Sequence, residues 1–121
     1  MDELQSRAED LKRLAGRKPT DKRYDIIQGA LQSKWEGDQS LAIQVLGQWG
    51  GRRSIDILRR FLETSYEKPM SWAVRKVSVR ALANTIEQED AEWIERLHAS
   101  RSNNIEKFEL RPLLERLKAI Q

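Results

Sequence analysis

Apolar residues recur along this chain at the three- and four-residue spacing of a helix face, and no stretch alternates apolar with polar residues as a half-buried strand would. Leu41, Ala42, Val45, Leu46 and Trp49 form one stripe, opened by Asp38 after Gly37 as an N-cap and closed by Gly50 and Gly51 as C-terminal breakers. Ile55, Leu58, Phe61 and Leu62 form the next stripe. A connection of only a few residues makes the two helices antiparallel neighbours, so the segment LGQWGGRRSIDILRRFLE (Leu46 to Glu63) is the corner of a helical hairpin.

The hairpin recurs. A shift of 36 residues carries Ala42, Leu46, Ile55, Leu58 and Phe61 onto Ser78, Leu82, Ala91, Ile94 and Leu97, small on small at the first position and apolar on apolar at the others. A shift back by 31 carries Leu46, Gly47, Ile55, Leu58 and Leu62 onto Ala15, Gly16, Tyr24, Ile27 and Leu31. Hairpins are expected over approximately 3–34, 38–64 and 71–99, followed by a helical cap over 103–120. In that cap Asn103 is the N-cap, Glu106 is placed to reach back to it, and Pro112 cannot donate to the carbonyl of Phe108, so a break or kink is expected there.

These residues resemble the HEAT repeats, whose first helix often reads Val-Arg-x-x-Ala-x-x-Ala-Leu-Gly. The stretch VRKVSVRALA keeps Val74, Arg75, Ala81 and Leu82, with Ser78 and Ala83 as small replacements; DQSLAIQVLG keeps the small-residue core and Gly47 but lacks the Val-Arg pair. GQWGGRRSIDILRRFL is similar to the family's turn and second helix. The likeness covers about three quarters of the chain. It implies an all-α fold, a short right-handed α-solenoid of about three stacked hairpins plus a C-terminal capping helix, with Arg75 in a ladder between repeats. In such an array the second helices line up along one surface, and binding uses that surface.

At 121 residues the chain is one domain that can bury a core without metals or disulfides, and it has no cysteine for a disulfide, a thiol nucleophile or a Cys-based zinc site. The longest apolar runs are far short of a membrane span, and the opening MDELQSRAED is acidic and polar where a secretory signal would be basic then apolar. A cytoplasmic location is the expectation. The formal charge of +3 is small for a chain that is 34% charged, so its distribution matters more than its sum. Lys12 to Arg23 carries six basic residues against one acid, while Glu87 to Glu95 carries five acids and no base, which makes the molecule electrostatically two-ended.

The candidate partner-binding residues are Arg52, Arg53, Asp56, Arg59 and Arg60 on the second helix of the middle repeat, with Glu92, Trp93 and Glu95 on that of the third. Two readings of the arginines stand side by side. They can form a binding patch centred on Arg59, which the register sets between Asp25 or Gln28 on one side and Glu92 or Glu95 on the other while Arg60 turns toward its own hairpin's edge, or they can be a solvated face in which Arg59 pairs with Glu92 or Glu95. Trp49 continues an apolar stripe into the core, and Trp35 and Trp72 sit half exposed at helix ends. Trp93, off the inward register, either covers a hairpin edge or serves as an exposed aromatic anchor. The basic loop Lys12 to Arg23 can meet phosphate or act as a solvated cap of the array.

His98, the single histidine, has Glu95 near it in sequence but no nucleophile, glycine-rich phosphate loop or metal-ligand cluster beside it. No catalytic residue, metal or cofactor is therefore expected. The expected function is non-enzymatic binding of another protein. The alternative is a nucleic-acid backbone laid along a basic face, which the acidic block from Glu87 to Glu95 would interrupt. With only three repeats the ends of the array can remain uncapped, so self-association is a further expectation.

Overall fold

A computed structural model describes residues 3–67 and 71–120, so the first two residues of the acidic opening lie outside it. The described residues form seven α-helices and no strand: α1 (Glu3–Leu14), α2 (Asp21–Leu31), α3 (Glu36–Trp49), α4 (Gly51–Glu67), α5 (Trp72–Thr85), α6 (Ala91–Ala99) and α7 (Asn104–Ile120), with one 3-10 turn at Gln88–Asp90 before α6. A single residue, Gly50, joins α3 to α4. Its amide donates to the Leu46 carbonyl, and it and Gly51 take φ values of 64° and 81°, the left-handed region where a Cβ is strained.

The odd-numbered helices form a continuous row, α3 packing on α1 and α5, and α5 on α7. Each even-numbered helix packs on the odd one that follows it: α2 on α3, α4 on α5, α6 on α7. The row is tight at Gly47, where an added Cβ would come 3.0 Å from the Ala81 Cβ and 3.1 Å from its Cα, so α3 and α5 can approach this closely only because residue 47 is glycine. The 36-residue correspondence falls on the core: Ala42, Leu46, Ile55 and Leu58 are fully buried, as are Ser78, Leu82 and Ile94. The Ser78 hydroxyl donates to the Val74 carbonyl of its own helix, so a polar group at a small-residue position costs the core little.

The 31-residue correspondence holds for only one helix of the first hairpin. Tyr24, Ile27 and Leu31 are buried on α2, but Ala15 and Gly16 lie beyond the end of α1, and Leu11 and Leu14 fill the core in their place. The reason is turn length, since residues 15–20 connect α1 to α2 where Gly50 alone connects α3 to α4, so no single shift superimposes both helices. Trp49 anchors this longer turn. Its indole N–H donates to the carbonyls of Leu14 at 3.2 Å and Arg17 at 2.8 Å, while its ring meets Tyr24 edge-on at 4.9 Å.

Three local expectations change. Helix α3 begins at Glu36, so Asp38 is not its N-cap; it is buried in the first turn, where its carboxylate accepts from the Ser33 hydroxyl at 3.0 Å and suits the positive end of the helix. Asn103 caps α7, its side-chain oxygen accepting from the Ile105 amide at 2.7 Å, but no hydrogen bond from the Asn103 amide to the Glu106 carboxylate is present among the described residues. Helix α7 is continuous through Pro112, and Pro112 and Phe108 both lie on its exposed side, where a carbonyl without its helical donor costs less than in the core.

Candidate functional site

Helix α4 carries its arginines on three different bearings, and its neighbours decide what each one meets. Arg52, in the first turn, would be disfavoured by the helix dipole if it stood alone. It faces the 3-10 turn instead, donating to Asp90 at 2.8 and 3.1 Å and pairing with Glu89, Glu87 (3.6 Å) and Asp56 (3.4 Å). Arg59, two turns further along, donates to the same Asp90 at 2.9 Å and lays its guanidinium over the Trp93 ring at 4.5 Å. The Trp93 indole donates to the Glu63 carboxylate, so α4 and α6 are bridged by side chains rather than by close backbone contact.

Asp90 is the centre of this arrangement, with no solvent exposure. Its two oxygens accept from Arg52, from Arg59 and from the Glu87 amide, and Glu87 and Asp90 cap the 3-10 turn reciprocally. Desolvation is the largest single influence on its carboxyl and pushes it upward. The hydrogen bonds from Arg52 and from the Glu87 amide, with the charges of Arg52 and Arg59, together outweigh it and hold the carboxyl below its ordinary range. A carboxylate this enclosed reaches no substrate, and its chemistry is that of a pin between α4 and α6.

Arg53 turns the other way. It pairs with Asp21 at the start of α2 and stacks on Tyr24 at 4.3 Å, and the Tyr24 hydroxyl shares a buried hydrogen bond of 2.8 Å with Ser54. Arg60 meets neither cluster. It lies exposed on the rim of a groove of about 340 Å³ between α2 and α4, lined also by Gln28, Leu31, Gln32, Gln39, Ile57, Phe61 and Thr64.

The sequence-derived site therefore divides. Arg52, Asp56, Arg59 and Trp93 come together around Asp90, Arg53 and Arg60 go elsewhere, and Glu92 and Glu95 are exposed with no ion pair among the described residues. Arg59 thus meets an acid of the expected block, but Asp90 rather than Glu92 or Glu95. Trp93, the candidate exposed anchor, is only 6% exposed, because Arg59 and Glu63 of α4 cover it. Trp35 and Trp72, at 44% and 54%, are the tryptophans that remain open to solvent, each beside a lysine.

Two residues that sequence reasoning passed over matter here. Asp90 had a local signal, since Glu87 and Asp90 stand at capping-box spacing. Glu109 had none. It is bound by Arg75 through two hydrogen bonds of 3.1 and 3.2 Å and accepts from the Tyr66 hydroxyl, joining α4, α5 and α7. The hydrogen bond to Glu109 raises Arg75; burial, then the Glu109 charge, raises Tyr66.

In the basic run, Arg23 donates to the Lys18 carbonyl at 2.6 Å, Thr20 caps α2, Asp21 holds Arg53 and the exposed Arg13 pairs with Asp10, which leaves Lys12, Arg17, Lys18 and Lys22 exposed. Among the described residues no group of three His, Cys, Asp or Glu side chains is placed to hold a metal ion, and no helix is long and apolar enough to cross a membrane. Comparison of the chain with protein-family models, curated proteins and solved structures finds no match.

Proposed function

We propose that this chain is a short right-handed α-solenoid of the HEAT type, and that it acts as a non-enzymatic, cytoplasmic protein-binding module through the face of α2, α4 and α6. The alternating packing supports the solenoid: odd helices stack in a row and each even helix lies on the next odd one, as repeats that cannot cover their own apolar faces must do. The observation that carries protein rather than nucleic acid as the partner is the charge along α4 and α6. Arg52 and Arg59 are already paired, both with Asp90 and Arg52 also with Glu87 and Glu89, and the carboxylates of Glu92 and Glu95 are exposed beside them with no ion pair among the described residues. A phosphate backbone tracking that face would meet these two unpaired acids, whereas a protein can place lysines and arginines against them.

The test is affinity capture from the source cells followed by crosslinking and mass spectrometry, with fluorescence anisotropy of an unrelated duplex and a single strand alongside. The proposal predicts crosslinks to a captured protein on the exposed residues of α2, α4 and α6, and nucleic-acid binding that vanishes at physiological ionic strength. Crosslinks gathered on α1, α3 and α5, or affinity for either nucleic acid that stays below about a micromolar dissociation constant at that ionic strength, would overturn it.

A further inference from the structure

The groove between α2 and α4 has a composition that specifies its occupant more closely than the face as a whole. Its floor is apolar: Leu31 is buried, and Ile57 and Phe61 are partly so. Its rim carries Arg60 and the side-chain amides of Gln28, Gln32 and Gln39, and no carboxylate lines it.

The charge of Arg60 is uncompensated for a structural reason. A helical arginine finds its usual partners three or four residues away, here Asp56 and Glu63. Asp56 is turned to Arg52, and Glu63 is held by the Trp93 indole, so both are committed to the opposite flank of α4. Among the described residues Arg60 makes no ion pair, and what the groove lacks is a carboxylate.

The amides add a second constraint. Gln39 uses its N–H to hold the Ser33 carbonyl, but the side chains of Gln28 and Gln32 make no hydrogen bond among the described residues. Gln28 lies in the last turn of α2 and Gln32 is its C-cap, about one turn further along, a rise of about 6 Å. An extended peptide repeats the same edge every second residue, at about 6.5 Å. Each amide offers both a donor and an acceptor, the complement of a peptide group. A groove of about 340 Å³ is at the small end for ligand sites and suits one bulky side chain with its backbone rather than a cofactor.

We infer that the α2–α4 groove binds an extended segment of a partner protein in which an Asp or Glu lies within two positions of a bulky apolar residue. Leu31, Ile57 and Phe61 receive the apolar side chain, Gln28 and Gln32 bind the backbone, and Arg60 takes the carboxylate. This inference rests on the protein-binding reading above.

The experiment is selection of a random-heptapeptide phage library on the full chain, followed by anisotropy with the most enriched peptide in labelled synthetic form. Enriched peptides should share the acidic–apolar pairing. Affinity should fall about tenfold in Arg60→Ala, a smaller amount in Gln28→Ala, and about tenfold when the peptide's acid is replaced by its amide. In the wild type, amide NMR shifts on adding the peptide should map to Gln28, Gln32, Arg60 and Thr64, a readout that needs no variant to fold. The inference is overturned if no peptide is enriched, if enriched peptides lack the pairing, if Arg60→Ala binds as the wild type does, or if the shifts map elsewhere. Should crosslinks to a captured protein lie on α2, α4 and α6 while the peptide results fail, the binding face stands and the groove assignment falls.

Discussion

The two flanks of α4 face neighbours of the same kind and end in opposite states. Toward α6 the helix presents Arg52, Arg59 and Glu63, and all three are bound, to Asp90 or to Trp93. Toward α2 it presents Ser54 and Arg53, bound to Tyr24 and Asp21, and then the groove, where Arg60 meets no acid. Arg59 and Arg60 are adjacent in sequence, identical in chemistry and about 100° apart around the helix. One is a structural strut and the other an available charge, and the cause is the opposing helix, which supplies a buried acid on one side and amides on the other. Residue type alone therefore does not identify a binding arginine; the partner already in place does.

The largest effect comes from removing what both flanks rest on. Leu58 of α4 and Ile94 of α6, which the 36-residue shift aligns, are fully buried, so Leu58→Ala and Ile94→Ala should each lose about 2–5 kcal/mol in chemical denaturation. Losses below about 0.5 kcal/mol at both would break the repeat correspondence itself.

Next comes the pin of the closed flank. Asp90→Asn leaves two arginines without their common acceptor; removing one partner of a buried pair usually costs about 3–5 kcal/mol, and because these guanidiniums can turn to solvent we expect about 1–3. The same variant carries a pH signature. The folded Asp90 carboxyl lies below its ordinary value of 3.8, so its contribution is complete above that value and is lost as the pH falls through the lower folded value. The stability gap between the wild type and Asp90→Asn, measured by urea unfolding across a pH series, should be constant near neutrality and close as the pH drops below about 4. A gap that persists unchanged to lower pH would assign it to packing rather than charge.

A smaller effect is expected on the other flank, where the buried polar contact is a neutral hydroxyl pair. Tyr24→Phe removes a buried hydroxyl pair with Ser54 and should cost about 0.5–1.5 kcal/mol, independent of pH in the acid range. A loss as large as that of Asp90→Asn would erase the distinction between a buried charged contact on one flank and a buried neutral one on the other.

Much of this comparison was legible in the sequence and some of it was not, for physical reasons. Periodicity located the helices, because apolar burial imposes it on local spacing, and Gly50 and Gly51 marked the corner because positive φ values favour glycine. Register also placed Arg59 against the acidic block of the third repeat. It named Glu92 and Glu95 rather than Asp90 because a repeat shift aligns backbone positions, while a long guanidinium can reach along its neighbour to the acid that the 3-10 turn buries. The burial of Trp93 was hidden for the same reason, since it depends on Arg59 and Glu63 closing over the ring from a helix 30 residues away. The groove could not be read at all, because it is a space between α2 and α4 and no local pattern encodes it.

The most direct test of the contrast between the flanks is side-by-side chemical denaturation of the wild type, Arg59→Glu and Arg60→Glu. Arg59→Glu sets a carboxylate against buried Asp90 and beside Glu63, and should lose about 2–4 kcal/mol. Arg60→Glu, which breaks nothing, should overlay the wild type within about 0.5 kcal/mol. Equal losses in the two variants, or a stable Arg59→Glu, would contradict the assignment of one arginine to the structure and the other to a partner.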